Sequence, residues 1–122
     1  MNDAAIEASI AELVLSEMWI CPTPYIYKYQ MLERPYYEDV KKYMKAFHDA
    51  GGKIVSGTDA FMEEIPAGIS LHETLQIMTQ AGFTPYEALK TATVNPANML
   101  EISERIGTIE VGERSGLHFT RQ

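Results

Sequence analysis

The chain has 122 residues, enough for one domain, and its 46% hydrophobic and 22% charged content is ordinary for a soluble globular protein. A net charge of −7, with residues 41–45 as the densest basic cluster, argues against a surface for nucleic acid or an anionic membrane. No apolar run approaches the roughly 20 residues of a transmembrane helix, and the single cysteine, Cys21, cannot form an internal disulfide, which predicts a cytoplasmic protein.

The N-terminal segment predicts a helix followed by a short strand. Apolar residues recur every three or four positions from Ile6 to Val14, with glutamates between them, which is typical of an amphipathic helix over residues 3–17. The apolar run Met18–Cys21 ends before two prolines and predicts a strand buried on both faces, as in a parallel sheet. The tyrosine-rich residues 25–37 show no clear period and predict a long loop over the mouth of a sheet or barrel, which lines a substrate pocket or an interface, or simply packs.

A second helix and strand lead to the most informative aspartate of the chain. Helical spacing of apolar residues predicts a helix over residues 35–50, which Gly51 ends. The β-branched pair Ile54-Val55 predicts a buried strand, and the alternation of helix and strand predicts an α/β fold with parallel pairing. Asp59 follows just beyond the carboxyl end of this strand, where α/β proteins place ligands and catalytic groups. Asp59 is therefore the candidate catalytic residue.

The C-terminal half predicts further helices and an irregular tail. Glu63-Glu64 form either a second carboxylate cluster or a solvated loop. Ser70-Leu71-His72-Glu73 fits a capping box, and Thr84-Pro85-Tyr86-Glu87 fits a second one with proline at the first helical position. Asn95-Pro96 restarts a short helix. Residues 107–119 alternate glycines with short β-prone pieces and predict turns with an incomplete strand or two.

Several blocks of sequence, taken in order, resemble the amidohydrolase superfamily. Val55-Ser56-Gly57-Thr58-Asp59-Ala60 is similar to the eighth strand of that family's (β/α)8 barrel, in the imidazolonepropionase and prolidase-like branch. The other similar blocks are Met18–Pro24 (seventh strand), Ser70–Glu73 (the next helix start), Ala81–Leu89 with Ala92–Ala97 (C-terminal helices) and Ile106–Gly112 (the return to a small β-domain). Together they cover roughly residues 5–117.

The resemblance implies the C-terminal part of a larger fold. A complete barrel takes about 250 residues, so the expected fold class is α/β, a partial (β/α)8 TIM barrel with the last two strands and the C-terminal helices. Residues 1–105 are assigned to this portion of the barrel, and residues 106–122 to an incomplete return to the small β-domain.

The resemblance also implies an activity. Members of the family are metal-dependent hydrolases of non-peptide, sometimes cyclic, C–N bonds in small molecules, and their metal is usually zinc. A His-x-His pair on the first strand and histidines on the fifth and sixth hold the metal, and the aspartate on the eighth strand completes the site and helps to activate water. Asp59 matches that aspartate, so it is expected to be a metal ligand and the catalytic base.

The other family ligands have no counterpart in this chain. His48, His72 and His118 form no His-x-His pair, and a catalytic zinc needs about three protein ligands. The chain alone is therefore expected to hold no metal and to be inactive. The alternative is a non-enzymatic assembly module, or one half of a split enzyme, which forms a homo-oligomer or binds a complementing chain through open strand edges.

Overall fold

A computed structural model of the protein describes residues 3–29, 35–60 and 65–114. The described residues form six α-helices and one pair of β-strands. The helices are α1 (Asp3–Leu15), α2 (Pro24–Tyr29), α3 (Pro35–Asp49), α4 (Ile69–Gln80), α5 (Pro85–Ala92) and α6 (Val94–Met99), and the strands are β1 (Trp19–Ile20) and β2 (Lys53–Ile54). None of these helices is long and apolar enough to cross a membrane.

The two strands are parallel neighbours, which confirms the predicted pairing. Trp19 lies opposite Lys53 and Ile20 opposite Ile54, and beyond this register the amide of Val55 donates to the carbonyl of Ile20 at 3.0 Å. The predicted burial of β1 on both faces is wrong, because Trp19 and Ile20 are only half-buried. Among the described residues β1 and β2 are the only strands. No third strand therefore pairs with the other edge of β1 or of β2 in this part of the chain.

The transition from α3 to β2 fixes where the second strand begins. Gly51 adopts φ 89°, its amide donates to His48, and the amide of Gly52 donates to Phe47 across the helix end, each at 2.9 Å. This pair of bonds is a Schellman motif, which satisfies the last helical carbonyls. A Cβ on Gly52 would overlap the ring of Phe47, so the chain can leave the helix here only where it has no side chain.

The hydrophobic core lies where α3, α4 and α5 pack against β2. Its buried members are Met44, Phe47, Ile54, Met78, Phe83 and Ala88. Ile10, Leu13 and Val14 of α1 pack against this cluster but stay partly exposed, which confirms the predicted apolar stripe of that helix. The core therefore holds β2 more firmly than β1, because Ile54 is 1% exposed and the residues of β1 are half-buried.

Only one of the two predicted capping boxes is present. α5 begins with Thr84, whose hydroxyl accepts from the amide of Glu87 at 3.2 Å, while the Glu87 carboxylate accepts from the amide of Thr84 at 2.8 Å. The predicted box at Ser70 and Glu73 is wrong. α4 begins two residues earlier than predicted, with Gly68 in the N-cap position, so Ser70 lies inside the helix and is fully buried.

Loss of the Thr84 cap is expected to destabilise the fold modestly. Thr84→Ala removes the hydroxyl that satisfies a helix-end amide, and such replacements cost about 1 kcal/mol. The bonds from Thr84 also lower the pKa of the Glu87 carboxyl. A lowered pKa means that this stabilisation is complete above the usual carboxyl value of 4.5 and is lost as the pH falls through the lower folded-state value. Urea unfolding of both proteins at pH 7 and pH 3.5 tests this, and a difference that grows at the acidic pH would contradict it.

Two other predictions need correction. The tyrosine-rich stretch is not a long loop throughout, because residues 24–29 form α2 and residues from 35 onwards form α3, while residues 30–34 lie outside the described part. Tyr25 is 5% exposed, so packing against neighbouring helices explains it. In the tail, residues 101–114 form turns without a strand, and the rest of the predicted strand region lies outside the described residues.

Candidate functional site

The segments that leave the two strands lie side by side. Cys21 and Thr23 follow β1, and Gly57 follows β2 in the same direction, because the strands are parallel. A Cβ on Gly57 would overlap the sulfur of Cys21 and would lie 3.8 Å from Cγ2 of Thr23. The two segments can approach this closely only because residue 57 has no side chain.

Asp59 lies beyond the carboxyl end of β2, where the sequence predicts it. Its backbone is in the left-handed region, at φ 54°, which is uncommon outside glycine but is tolerated by aspartate. The side chain is exposed, and no hydrogen bond or ion pair joins it to another described residue. Within residues 3–29, 35–60 and 65–114, no group therefore engages its carboxylate oxygens.

Cys21, which lies against Gly57, carries a thiol whose pKa the charge of Asp59 affects. Burial raises the pKa of the Cys21 thiol above its ordinary value of 9.0. A backbone hydrogen bond from Thr23 opposes part of this rise, and the negative charge of Asp59 adds a smaller increase. The thiol is therefore neutral at physiological pH. The sequence predicts Cys21 as part of the strand, but it lies just beyond β1, and a neutral thiol there is a poor nucleophile.

On the other side of β2, α5 and α6 supply hydrogen bonds to the strand. The side-chain amide of Asn95 donates to the carbonyl of Ile54 at 2.7 Å, and the amide of Ser56 donates to the carbonyl of Thr91 at 2.8 Å. The hydroxyls of Ser56 and Thr91 also bond to each other, and both contact the sulfur of Met78. These groups reach the strand just before Gly57 and Asp59.

Sequence reasoning missed the part that Asn95 and Thr91 take in this arrangement. Asn95 was interpreted only through the proline that follows it, as the restart of a helix, and α6 does begin there. A signal was present, because Asn95 is a polar residue between the apolar residues Val94 and Pro96, and Thr91 lies one helical turn before it in the sequence. Polar side chains in such a setting need hydrogen-bond partners when buried, and Thr91 is 1% exposed.

α2 and α4, the helices that follow the two strands, are joined beside the site. The Tyr29 hydroxyl donates to the Glu73 carboxylate at 2.5 Å, and Lys28 lies 3.4 Å from the same carboxylate. The bond from Tyr29, more than the charge of Lys28, lowers the pKa of the Glu73 carboxyl. Glu73 therefore connects two helices instead of capping its own.

The two described histidines, His48 and His72, form no metal-binding group with Asp59. His48 lies at the end of α3, before β2, where its ring packs against Phe83 at a centroid distance of 4.5 Å. His72 is exposed in α4, where its backbone amide donates to the carbonyl of Gly68, and no ion pair or hydrogen bond links its side chain to another described residue. His118 and the pair Glu63-Glu64 lie outside the described residues.

Two cavities in the described part of the chain are not lined by Asp59. One, of about 240 Å³, lies between α1, β1 and α3 and has an apolar lining that includes Leu13 and Tyr43. The other, of about 840 Å³, lies between the helices α5 and α6 and residues 106–114. Neither of these two cavities therefore includes the candidate residue Asp59.

α/β enzymes place their ligand sites at the carboxyl ends of parallel strands. Asp59 lies beyond such an end, and no other described residue bonds to its carboxylate. The particular family follows from the sequence. The model of the amidohydrolase family matches residues 25–117, well over half of the chain and including Asp59, so the chain belongs to this family. Members are hydrolases and are generally metal-dependent. No curated protein and no solved structure matches the chain.

The described residues do not by themselves fit a complete metal site. Nowhere in residues 3–29, 35–60 and 65–114 do three histidine, cysteine, aspartate or glutamate side chains converge closely enough to hold an ion. Asp59 offers one carboxylate, and a catalytic zinc needs about three protein ligands with an open position. Any metal at Asp59 must therefore take its other ligands from outside these residues.

Proposed function

We propose that this chain supplies the last two strands and the strand-end carboxylate of an amidohydrolase that hydrolyses a non-peptide C–N bond. The substrate class is a cyclic amide or an N-acyl amino acid. The observation that carries the proposal is the position of Asp59. It lies beyond the carboxyl end of a parallel strand, inside the segment that matches the amidohydrolase family, and its side chain is not engaged by any other described residue.

Asp59 has the properties of a base that serves both halves of such a reaction. An exposed carboxylate can accept a proton from the water molecule that attacks the carbonyl carbon. When the C–N bond breaks, the same group can return that proton to the leaving nitrogen, so the carboxylate is regenerated. The neutral Cys21 thiol beside it does not compete as a nucleophile.

The rest of the proposed fold is a (β/α)8 barrel in which β1 and β2 are the seventh and eighth strands. Residues 1–105 belong to the barrel and residues 106–122 begin the small β-domain, as in the imidazolonepropionase and prolidase-like branch. The remaining strands would bring the histidines that hold the metal, for which we propose zinc. We place the reaction in the cytoplasm, since the single cysteine makes no internal disulfide.

Exposed apolar side chains favour a second form of the proposal, in which the remaining strands belong to another polypeptide. Leu89 and Leu100 of the α5–α6 region are 53% and 60% exposed, and Ile109 and Val111 of the tail are more exposed still. Leu89, Leu100 and Ile109 line the same cavity, and exposed apolar side chains that cluster in this way often mark an interface. A complementing chain, or a second copy of this one, would cover them.

The test compares the chain alone with the chain coexpressed with the remainder of the barrel. That remainder is sought in the same reading frame or immediately upstream, and its His-x-His pair identifies it. Both samples are assayed for metal content, for solution mass and for hydrolysis of cyclic amides and N-acyl amino acids. We expect turnover and bound zinc only in the complex. Turnover by the chain alone, the absence of any such polypeptide, or a complex without hydrolase activity would each overturn the proposal.

A further inference from the structure

We infer that Asn95 is a positioning residue for Asp59, because its side chain fixes the strand end from which Asp59 extends. The catalytic meaning of this inference rests on the proposed function, but the positioning itself does not. Among the described residues, the side chain of Asn95 bonds to the carbonyl of Ile54 and not to Asp59. It acts through the backbone of β2.

The argument begins with the alternation of backbone groups along β2. The register with β1 and the bond from the Val55 amide to Ile20 direct the groups of Lys53 and Val55 towards β1. Successive residues of a strand direct their backbone groups to opposite edges, so those of Gly52, Ile54 and Ser56 lie on the outer edge. A further strand would have to pair at these three residues.

Helices of the same chain bond to one backbone group of each of these residues, so their other backbone groups remain for a neighbouring strand. The Gly52 amide donates to α3, the Ile54 carbonyl accepts from the side chain of Asn95, and the Ser56 amide donates to the carbonyl of Thr91. Of these bonds, only the one to Ile54 comes from a side chain. A single substitution at Asn95 can therefore remove it without changing the backbone of either partner.

The same strand end is also held from the side of β1. Gly57 lies against the sulfur of Cys21, with no room for a Cβ between them. The residues just before Asp59 are thus confined on one side by Cys21 and on the other by the polar groups of α5 and α6. When the bond from Asn95 is lost, Ile54, which is 1% exposed, keeps a carbonyl without that partner, and the strand can shift away from α6.

The experiment reads the strand end directly with 15N-glycine labelling, since the chain has only eight glycines and Gly57 lies two residues from Asp59. The variants are Asn95→Ala, which removes the amide, and Asn95→Asp, which keeps its shape but replaces the donor. Thr84→Ala is the matched control, because it weakens the neighbouring helix without touching β2. Should Asn95→Ala fail to fold, Asn95→Asp, which removes the donor but keeps the shape of the side chain, serves as the second variant.

We expect both Asn95 variants to shift or broaden the Gly57 cross-peak while those of Gly51 and Gly112 stay in place, and Thr84→Ala to leave Gly57 unchanged. An unchanged Gly57 signal in a folded Asn95 variant, or an equal change in the control, would overturn the inference. An effect of Asn95→Ala without one of Asn95→Asp would also overturn it, since it would show that Asn95 only fills space.

In the complete enzyme, the kcat of Asn95→Ala should fall roughly 10- to 100-fold with a smaller change in KM, as expected for a displaced catalytic group. A kcat equal to that of Thr84→Ala would contradict the inference. If the wild-type complex shows no hydrolysis at all, the proposed function fails, while the glycine spectra still decide whether Asn95 holds the strand end.

Discussion

Asp59→Asn is expected to lower kcat/KM of the complete enzyme by about 10²- to 10⁴-fold, the usual loss when a catalytic base is removed. The amide has nearly the shape of the carboxylate but cannot accept the proton of the attacking water. The exposed side chain bonds to no other described residue, so the free energy of unfolding should change by less than about 0.5 kcal/mol. Initial rates on the best substrate of the panel, with urea unfolding in parallel, measure both quantities.

The matched control for this substitution is Asp39→Asn. Asp39 is an exposed aspartate of α3, before the helix reaches β2, so the change of charge and of side chain is the same. We expect it to leave kcat/KM within about twofold of the wild-type value, as surface substitutions away from a site usually do. If Asp59→Asn lost no more activity than Asp39→Asn, the carboxylate at the strand end would have no part in the reaction.

Local signals in the sequence predicted much of what surrounds Asp59. The glycine pair after α3 predicted the end of that helix, and the structure forms the expected turn with Gly51 at φ 89°. The spacing of Thr84 and Glu87 predicted a capping box, and both of its hydrogen bonds are present. Such features depend on residues within a few positions of each other, so a sequence contains all the information that specifies them.

The failures occurred where a distant residue offered a better partner. Glu73 has the spacing of a capping residue, but the hydroxyl of Tyr29, 44 positions away, holds its carboxylate instead. Residues 25–29 show no helical period by themselves, and they form α2 because Pro24 and Tyr25 are buried beneath neighbouring helices. Packing between elements decided both cases, and no local pattern records it.

In the candidate site, too, the sequence predicted the local features and missed the contacts between distant residues. The position of Asp59 follows from one strand and the residue types beyond it, and the sequence predicted it. The hydrogen bond from Asn95 to the carbonyl of Ile54 joins residues 41 positions apart in the sequence. The contact between Gly57 and Cys21 depends on how the two strands align. A metal site is harder still, because its ligands come from the ends of several strands that only the complete sheet brings together.

Phe47→Ala is expected to destabilise the fold by about 3–5 kcal/mol, the usual cost of emptying a buried aromatic site. Phe47 is 4% exposed, and its ring packs against Gly52, the last residue before β2, so the cavity opens where the strand begins. Tyr36→Ala is the control in the same helix, since Tyr36 is 53% exposed and should cost less than about 0.5 kcal/mol. Urea unfolding followed by circular dichroism measures both losses. Equal losses would mean that the core does not hold β2 in place, and the position of Asp59 would then have to be fixed by the outer edge of the strand alone.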